Sequence, residues 1–331
     1  MDKQNLIKKI EEARNSRLIA YITGDRQPFA TRIAEDVVPI FNRHLEGIKI
    51  KAQPKGSLKI SLFIYTRGGD MVAPLRIVKL IRSYCDEFEV LIPYKCHSAG
   101  TLIALGADKI VMGRLGELSP VDPTTMHPYN PQNPLNPQQR LEISVEDLNS
   151  YFLLAREMAK VKEEEMDKVF ENLVNKIHPL SLGNAYRALR MGKMIAEKLL
   201  EMPKTKKLSK EEVKKIVDEI TSRICIHGYP ITRDEAEGLG LPIEKAEGEL
   251  EKDLWNLYEV YGKEMKLGIP FHPLEVLGDK EIAEVKYTGA YIETDGLLDQ
   301  FIFKGKIQKT IRDNKPAIDM NIEPPRWNQI K

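Results

Sequence analysis

The stretch from residue 18 to residue 112 alternates short apolar runs with amphipathic ones, and this alternation limits the possible folds more than any other feature of the chain. Residues 18–23, 58–65, 89–93 and 109–112 are short, rich in β-branched and aromatic side chains, and mostly bounded by Gly, Pro or Asp. That is the pattern of buried strands. Between them, residues 29–45 carry Ile33, Val37, Ile40 and Phe41 at helical spacing, and residues 72–85 carry Leu75, Ile77, Val78 and Ile81. A shorter helix is predicted from Ser98 to Ala107. Strand–helix–strand units of this length predict right-handed crossovers and a parallel sheet, hence an α/β fold.

Residues 121–137 change character. Pro123, Pro128, Pro131, Pro134 and Pro137 crowd this segment, which predicts a long irregular loop. Residues 146–176 and 183–201 then read as helices. The basic stretch 204–210 (KTKKLSK) reads as a solvated linker. Ser209 with Glu212, and Thr232 with Glu235, have the spacing of capping boxes. From about Pro270 the chain is β-rich. The expected organisation is a main unit over 1–250, with a helical segment at about 146–222, and a partly β C-terminal extension over 251–331.

Lys and Arg total 50 against 49 Asp and Glu, a net charge of +1. Without a basic surplus there is no footprint for nucleic acid. Three cysteines form no disulfide framework, which points to reduced thiols. No apolar run approaches the ~18 residues of a membrane span, and the run at 18–22 is too short for a signal-peptide core. These features lead to the expectation of a cytoplasmic chain with no membrane span. No metal site is expected. Cys96, His97, Cys225 and His227 lack metal-ligand spacing, and Cys96 and His97 are sequence neighbours that can hardly ligate together.

Chemistry concentrates at two strand ends. Gly68-Gly69-Asp70 follows a strand and precedes a helix, where glycines let a backbone N–H face a ligand. Taken alone, it also reads as a tight turn with Asp70 as helix cap. Ser98 follows another strand and opens a helix, beside the small residues Ala99 and Gly100. It reads either as a cap or as a nucleophile with an oxyanion site next to it.

Taken together, residues 64–70, 96–123 (with SAG and GELSPVDP) and 227–241 (HGYPITRDEAEGLGL) resemble the Clp protease class. That class includes the Clp proteolytic subunit and the signal peptide peptidase A group, and the family most similar is the serine dehydrogenase proteinases. The resemblance spans most of residues 18–245. It implies a Clp/crotonase-type βαβ superhelix and serine-dependent hydrolysis of peptide bonds through an acyl-enzyme on Ser98. Gly69, with Gly68, and Ala99 would supply the oxyanion N–H groups. It further implies a peptide or protein substrate, a homo-oligomer and no cofactor. A catalytically inactive Clp-like scaffold and a crotonase-like acyl-coenzyme A enzyme are the rival readings.

The base stays open. The Clp subunit carries its histidine about 25 residues after the serine, but residues 118–123 hold none. Near the lysine position of the signal peptide peptidase A group stand Gln139 and Arg140, and an arginine keeps its proton. His227, just upstream of the third matching segment, is the preferred base, with Asp122 to orient it. His127, His178, His97 and the lysines Lys160, Lys162 and Lys193 are the alternatives.

Overall fold

A computed structural model of the chain describes residues 2–51, 57–122, 124–205, 207–223, 228–312 and 315–330. The chain begins with α1 (Lys3–Arg14), β1 (Arg17–Thr23), α2 (Val38–Lys51), β2 (Lys59–Tyr65), α3 (Ala73–Tyr84), β3 (Glu87–Ile92), β4 (Lys95–Cys96), α4 (Ala99–Leu105), β5 (Lys109–Met112) and β6 (Glu117–Leu118). The four long strands fall where the apolar runs predict them. A loop region follows, with β7 (Thr124–Thr125), β8 (Gln132–Asn133), β9 (Asn136–Arg140) and β10 (Ile143–Ser144). The helices α5 (Val145–Leu153), α6 (Met166–Val174), α7 (Pro179–Leu200) and α8 (Lys210–Asp218) come next. The chain ends with β11 (Ile231–Thr232), α9 (Arg233–Gly238), β12 (Ile243–Lys245), α10 (Gly248–Met265), α11 (Pro273–Leu277), β13 (Ile282–Thr294), β14 (Leu297–Arg312), β15 (Lys315–Ile322) and β16 (Arg326–Ile330).

The main sheet runs β12-β5-β3-β2-β1-β13-β14-β15, with β16 also paired to β14. Strands β12, β5, β3, β2 and β1 are parallel, as the βαβ pattern requires. From β13 onward the pairing is antiparallel. The β-rich C-terminal stretch therefore continues the main sheet along the free edge of β1. A small second sheet, β11-β6-β4, lies near the top of the parallel strands.

Both faces of the sheet are covered, so its strands are apolar on both sides. Ile19, Leu62, Ile64, Val90 and Ile110 face a core closed by α2, α3, α4, α7 and α8. Leu18, Phe63, Tyr65, Leu91 and Val111 face a second core under α1 and α10. Charged groups are buried in these cores as well, Glu89 of β3 among them. Glu89 has no exposure and is met by Arg14 at 2.7 Å, Lys59 at 2.8 Å and the Ser61 hydroxyl at 2.5 Å.

Two predicted helices differ from what is found. In the stretch 29–45, a 3-10 turn (Glu35–Val37) leads into α2 at Val38. Pro39 sits in the first turn of α2, where a missing N–H costs nothing, and Ile33 is taken up by pairing with Gly69 instead. The stretch 146–176 is two helices. After a wide turn at Leu154–Met158 the backbone turns to positive φ at Lys160, and Glu163–Glu165 start a new helix. Acidic residues favour such a start because of the partial positive charge at a helix N-terminus. Both predicted capping boxes are present, at Ser209/Glu212 and Thr232/Glu235.

Candidate active site

The parallel strands end together at their carboxyl edge, where α/β sheets place ligands. At the end of β2 the chain is anchored by Thr66. Its amide donates to the Lys95 carbonyl at 2.9 Å, and its carbonyl accepts from His97 N–H at 3.0 Å. Its hydroxyl takes hydrogen bonds from Thr23 Oγ1 at 2.7 Å and Gly68 N–H at 3.0 Å.

The diglycine bend follows. Ile33 N–H donates to the Gly68 carbonyl at 2.9 Å, and Asp70 N–H donates to the Ile33 carbonyl at 2.8 Å. A Cβ on residue 69 would lie 2.1 Å from the Ile33 oxygen, so only glycine fits against that backbone. Asp70 Oδ1 caps α3 by accepting from Val72 and Ala73 N–H, as its position predicts. The cap and the bend therefore coexist.

Gly68 has φ +107°, and a Cβ there would meet Ser98 Cβ at 2.8 Å and Ser98 Oγ at 3.2 Å. Ser98 and the bend are thus in contact. Ser98 itself has φ 50° and ψ −107°, a conformation that side-chain-bearing residues rarely adopt and that costs on the order of 1–3 kcal/mol. It stands at the cap position of α4, yet its hydroxyl makes no capping hydrogen bond. Its N–H is held by Ser119 Oγ at 2.8 Å. Ser119 is fixed in turn by Thr101, whose hydroxyl donates to the Ser119 carbonyl at 2.8 Å and accepts from Ser119 N–H at 3.1 Å. Among the described residues, Ser98 Oγ and the amides of Gly69 and Ala99 have no hydrogen-bond partner. The structure therefore brings Ser98, Gly68, Gly69 and Ala99 together at one point.

The candidate bases are dispersed. His227 and Cys225 lie outside the described residues. The flanking chain is placed on both sides: Val121 N–H donates to the Ile220 carbonyl at 2.7 Å, and Ile231 pairs with Leu118. Asp122 accepts from the Ser144 hydroxyl at 3.3 Å. His97 adjoins Ser98 in sequence but directs Nε2 to Glu117 at 2.8 Å. Burial lowers the His97 pKa, against the opposing pull of Glu117. His127 and His178 flank Tyr129, and the His178 ring stacks on it at 4.3 Å while its Nδ1 accepts from Leu180 N–H. Lys160 and Lys162 are exposed, and Lys193 is paired with Asp218 at 2.9 Å. Among the described residues no three His, Cys, Asp or Glu side chains gather as metal ligands. Cys85 and Cys96 are buried and free, and burial pushes the Cys85 thiol up to about 12.

Some supporting residues carry no local signal in the sequence. Gly289 sits at a bulge in β13, and its carbonyl accepts from Gly24 N–H at 2.8 Å and from the Thr31 hydroxyl at 2.6 Å. Thr31 N–H donates to the Gly24 carbonyl at 2.8 Å. The C-terminal strands thereby brace the segment that ends in Ile33 and the bend. Ser119 lies within GELSPVDP, so that segment marked the region without revealing the residue's contact with Ser98.

The sequence pattern of the ClpP-like SDH-type serine proteinases matches residues 1–181, more than half of the chain. The chain belongs to that family. The serine dehydrogenase proteinase resemblance is thus established, and with it a Clp-like α/β fold and membership of a serine proteinase family. Two uncharacterized proteins of Methanocaldococcus jannaschii are similar. One is 27% identical over 212 residues, covering 64% of this chain and 61% of the relative. The other is 25% identical over 273 residues, covering 80% and 78%. The chain thus spans under two thirds of the first relative's length. Among solved structures, ClpP1 from Listeria monocytogenes is 14% identical with a TM-score of 0.38, covering 72% of this chain and 98% of that one. The ClpP catalytic domain from Plasmodium falciparum is 12% identical with a TM-score of 0.36, covering 75% and 93%. At these scores the assignment rests on the family pattern. Among the described residues, no helix is long and apolar enough to cross a membrane.

Proposed function

We propose that this member of the family is a peptidase with Ser98 as its nucleophile. The observation that carries the reading is the Ser98 side chain. It stands at a cap position without capping, on a strained backbone, in contact with a glycine bend whose next amide is uncommitted. A structural serine at a helix start would spend its hydroxyl on the helix.

In the proposed reaction Ser98 Oγ attacks the peptide carbonyl carbon as its proton passes to a base. The negative oxygen that forms is met by Gly69 and Ala99 N–H. The C–N bond then breaks, the base returns the proton to the leaving amine, and water releases the acyl group by the same steps in reverse. His227 is the proposed base, oriented by Asp122. Support for it comes from the two anchors of its segment, which both pair with 118–121, the strip that holds Ser98 through Ser119. Homo-oligomeric assembly and a reducing, cytoplasmic setting belong to the same proposal. The free thiols Cys85 and Cys96 fit that setting.

A fluorophosphonate probe followed by intact mass tests the reading. Wild type is expected to gain one adduct on Ser98, and Ser98→Ala none. His227→Gln should slow labelling strongly, while Lys193→Met should leave it unchanged. A folded wild-type protein that never reacts would leave a scaffold in place of an enzyme.

A further inference from the structure

On the other side of the strand ends from α4 there is a cleft of about 590 Å³. It is lined by the turn after β1 (Asp25, Arg26), the ends of β2 and β3 (Tyr65, Tyr94), Lys95, Tyr258 of α10 and the turn that ends at Phe271. It lies close to the proposed nucleophile. Lys95 precedes Ser98 by three residues, which span at most roughly 10 Å of chain.

The charges in this cleft do not balance. The Arg26 guanidinium is held by neutral groups: Nε donates to the Ile269 carbonyl at 2.8 Å, Nη2 donates to the Pro270 carbonyl at 3.3 Å, and its plane lies over Tyr287 and Phe271. Its Nη1 is buried with no partner. Lys95 Nζ lies over the Tyr94 ring at 4.7 Å. Among the described residues neither cation has a carboxylate within ion-pair distance. Asp25, the acid in the cleft, already accepts from the Tyr65 hydroxyl at 3.1 Å and faces Arg67 at 3.9 Å. A cleft of this size with two uncompensated cations and aromatic walls lacks an anion that carries an apolar or aromatic group.

We propose that this cleft binds the carboxylate of an apolar or aromatic acid, with the C-terminal end of a peptide as the form suited to a peptidase. The Arg26 guanidinium and Lys95 Nζ take the carboxylate, and Tyr65, Tyr94, Tyr258 and Phe271 take the side chain. The peptide form rests on the peptidase reading, while the carboxylate site itself does not.

The test is binding to Ser98→Ala protein, so that failure of hydrolysis and failure of this site are separable. Trp255 packs at a tilt against Tyr258 and Tyr94, with centroids at 5.1 and 6.4 Å, and reports occupancy by fluorescence. The probes are acetyl-Ala-Ala-Phe with a free carboxylate, its C-terminal amide, and acetyl-Phe. The free acid should bind about tenfold or more tightly than the amide, and Lys95→Gln and Arg26→Gln should each remove that preference. Lys95→Gln keeps the test decisive if Arg26→Gln fails to fold. A tighter tripeptide assigns the site to peptide ends, and equal binding of acetyl-Phe assigns it to small acids; both uphold the carboxylate site. Equal binding of acid and amide, or an acid preference that survives both substitutions, overturns it.

Discussion

Ile33 and Gly68 are joined backbone to backbone: the Ile33 amide donates to the Gly68 carbonyl at 2.9 Å, and two residues later Asp70 N–H returns to the Ile33 carbonyl at 2.8 Å. This short parallel bridge ties a segment with no regular structure to the bend beside Ser98. The bend is therefore held from outside its own βα unit.

Gly68→Ala tests the contact between bend and serine. The added Cβ would stand 2.8 Å from Ser98 Cβ on a backbone at φ +107°. Ester hydrolysis, measured as kcat/KM, should fall on the order of a hundredfold, the scale of losing an oxyanion donor. Near wild-type rates would mean that the bend plays no part in catalysis.

Thr31→Val removes the hydroxyl that donates to the Gly289 carbonyl at 2.6 Å. The expected stability loss in urea is about 1 kcal/mol. If Thr31 positions the bend through Ile33, kcat should drop while KM holds, and Thr31→Ser should restore the rate. A stability loss with kcat intact would reduce Thr31 to a structural role.

His44 predicts a pH dependence. It has no exposure, its Nε2 lies 3.0 Å from Asp299, its Nδ1 lies 2.9 Å from Thr294, and Arg43 also faces Asp299. Burial lowers its pKa below the usual 6.5, with Asp299 pulling the other way. The unfolded chain therefore binds this proton at a higher pH than the folded one. The stability that depends on neutral His44 is complete above about 6.5 and is lost as pH falls from there through the folded value. Urea midpoints across this window should fall toward acid in wild type and flatten in His44→Gln.

Arg14→Met leaves Glu89 buried with fewer partners. Burial by itself raises the Glu89 pKa, and the hydrogen bonds from Arg14, Lys59 and Ser61 hold it below its usual value. Removing Arg14 should cost about 3 kcal/mol. Adding Glu89→Leu should recover much of that loss, as seen in denaturant midpoints. No recovery would show that Arg14 acts through its pair with Glu244 instead.

The parallel sheet was legible because period and composition are local properties. Residues 59–65 and 109–112 are short apolar runs rich in β-formers, which favours buried strands over a buried helix. Gly68, Gly69, Ser98 and Ala99 each also read as a turn or a cap when taken alone, and were singled out by the resemblance of 64–70 and 96–123 to the Clp class; that they meet at one point is a tertiary result. The break inside 146–176 was not legible. Its apolar spacing fits one helix as well as two, and what decides is packing and the positive φ at Lys160.

By itself, then, the sequence determined the alternation of strands and helices and the capping boxes. Each is set by neighbours within a few residues. Only the tertiary structure decided that His97 turns to Glu117, that Ser119 holds the Ser98 amide, and that Gly289 braces the bend through Thr31. Those contacts join residues 20 to 258 positions apart, and no local pattern encodes which distant carbonyl an amide or hydroxyl will meet.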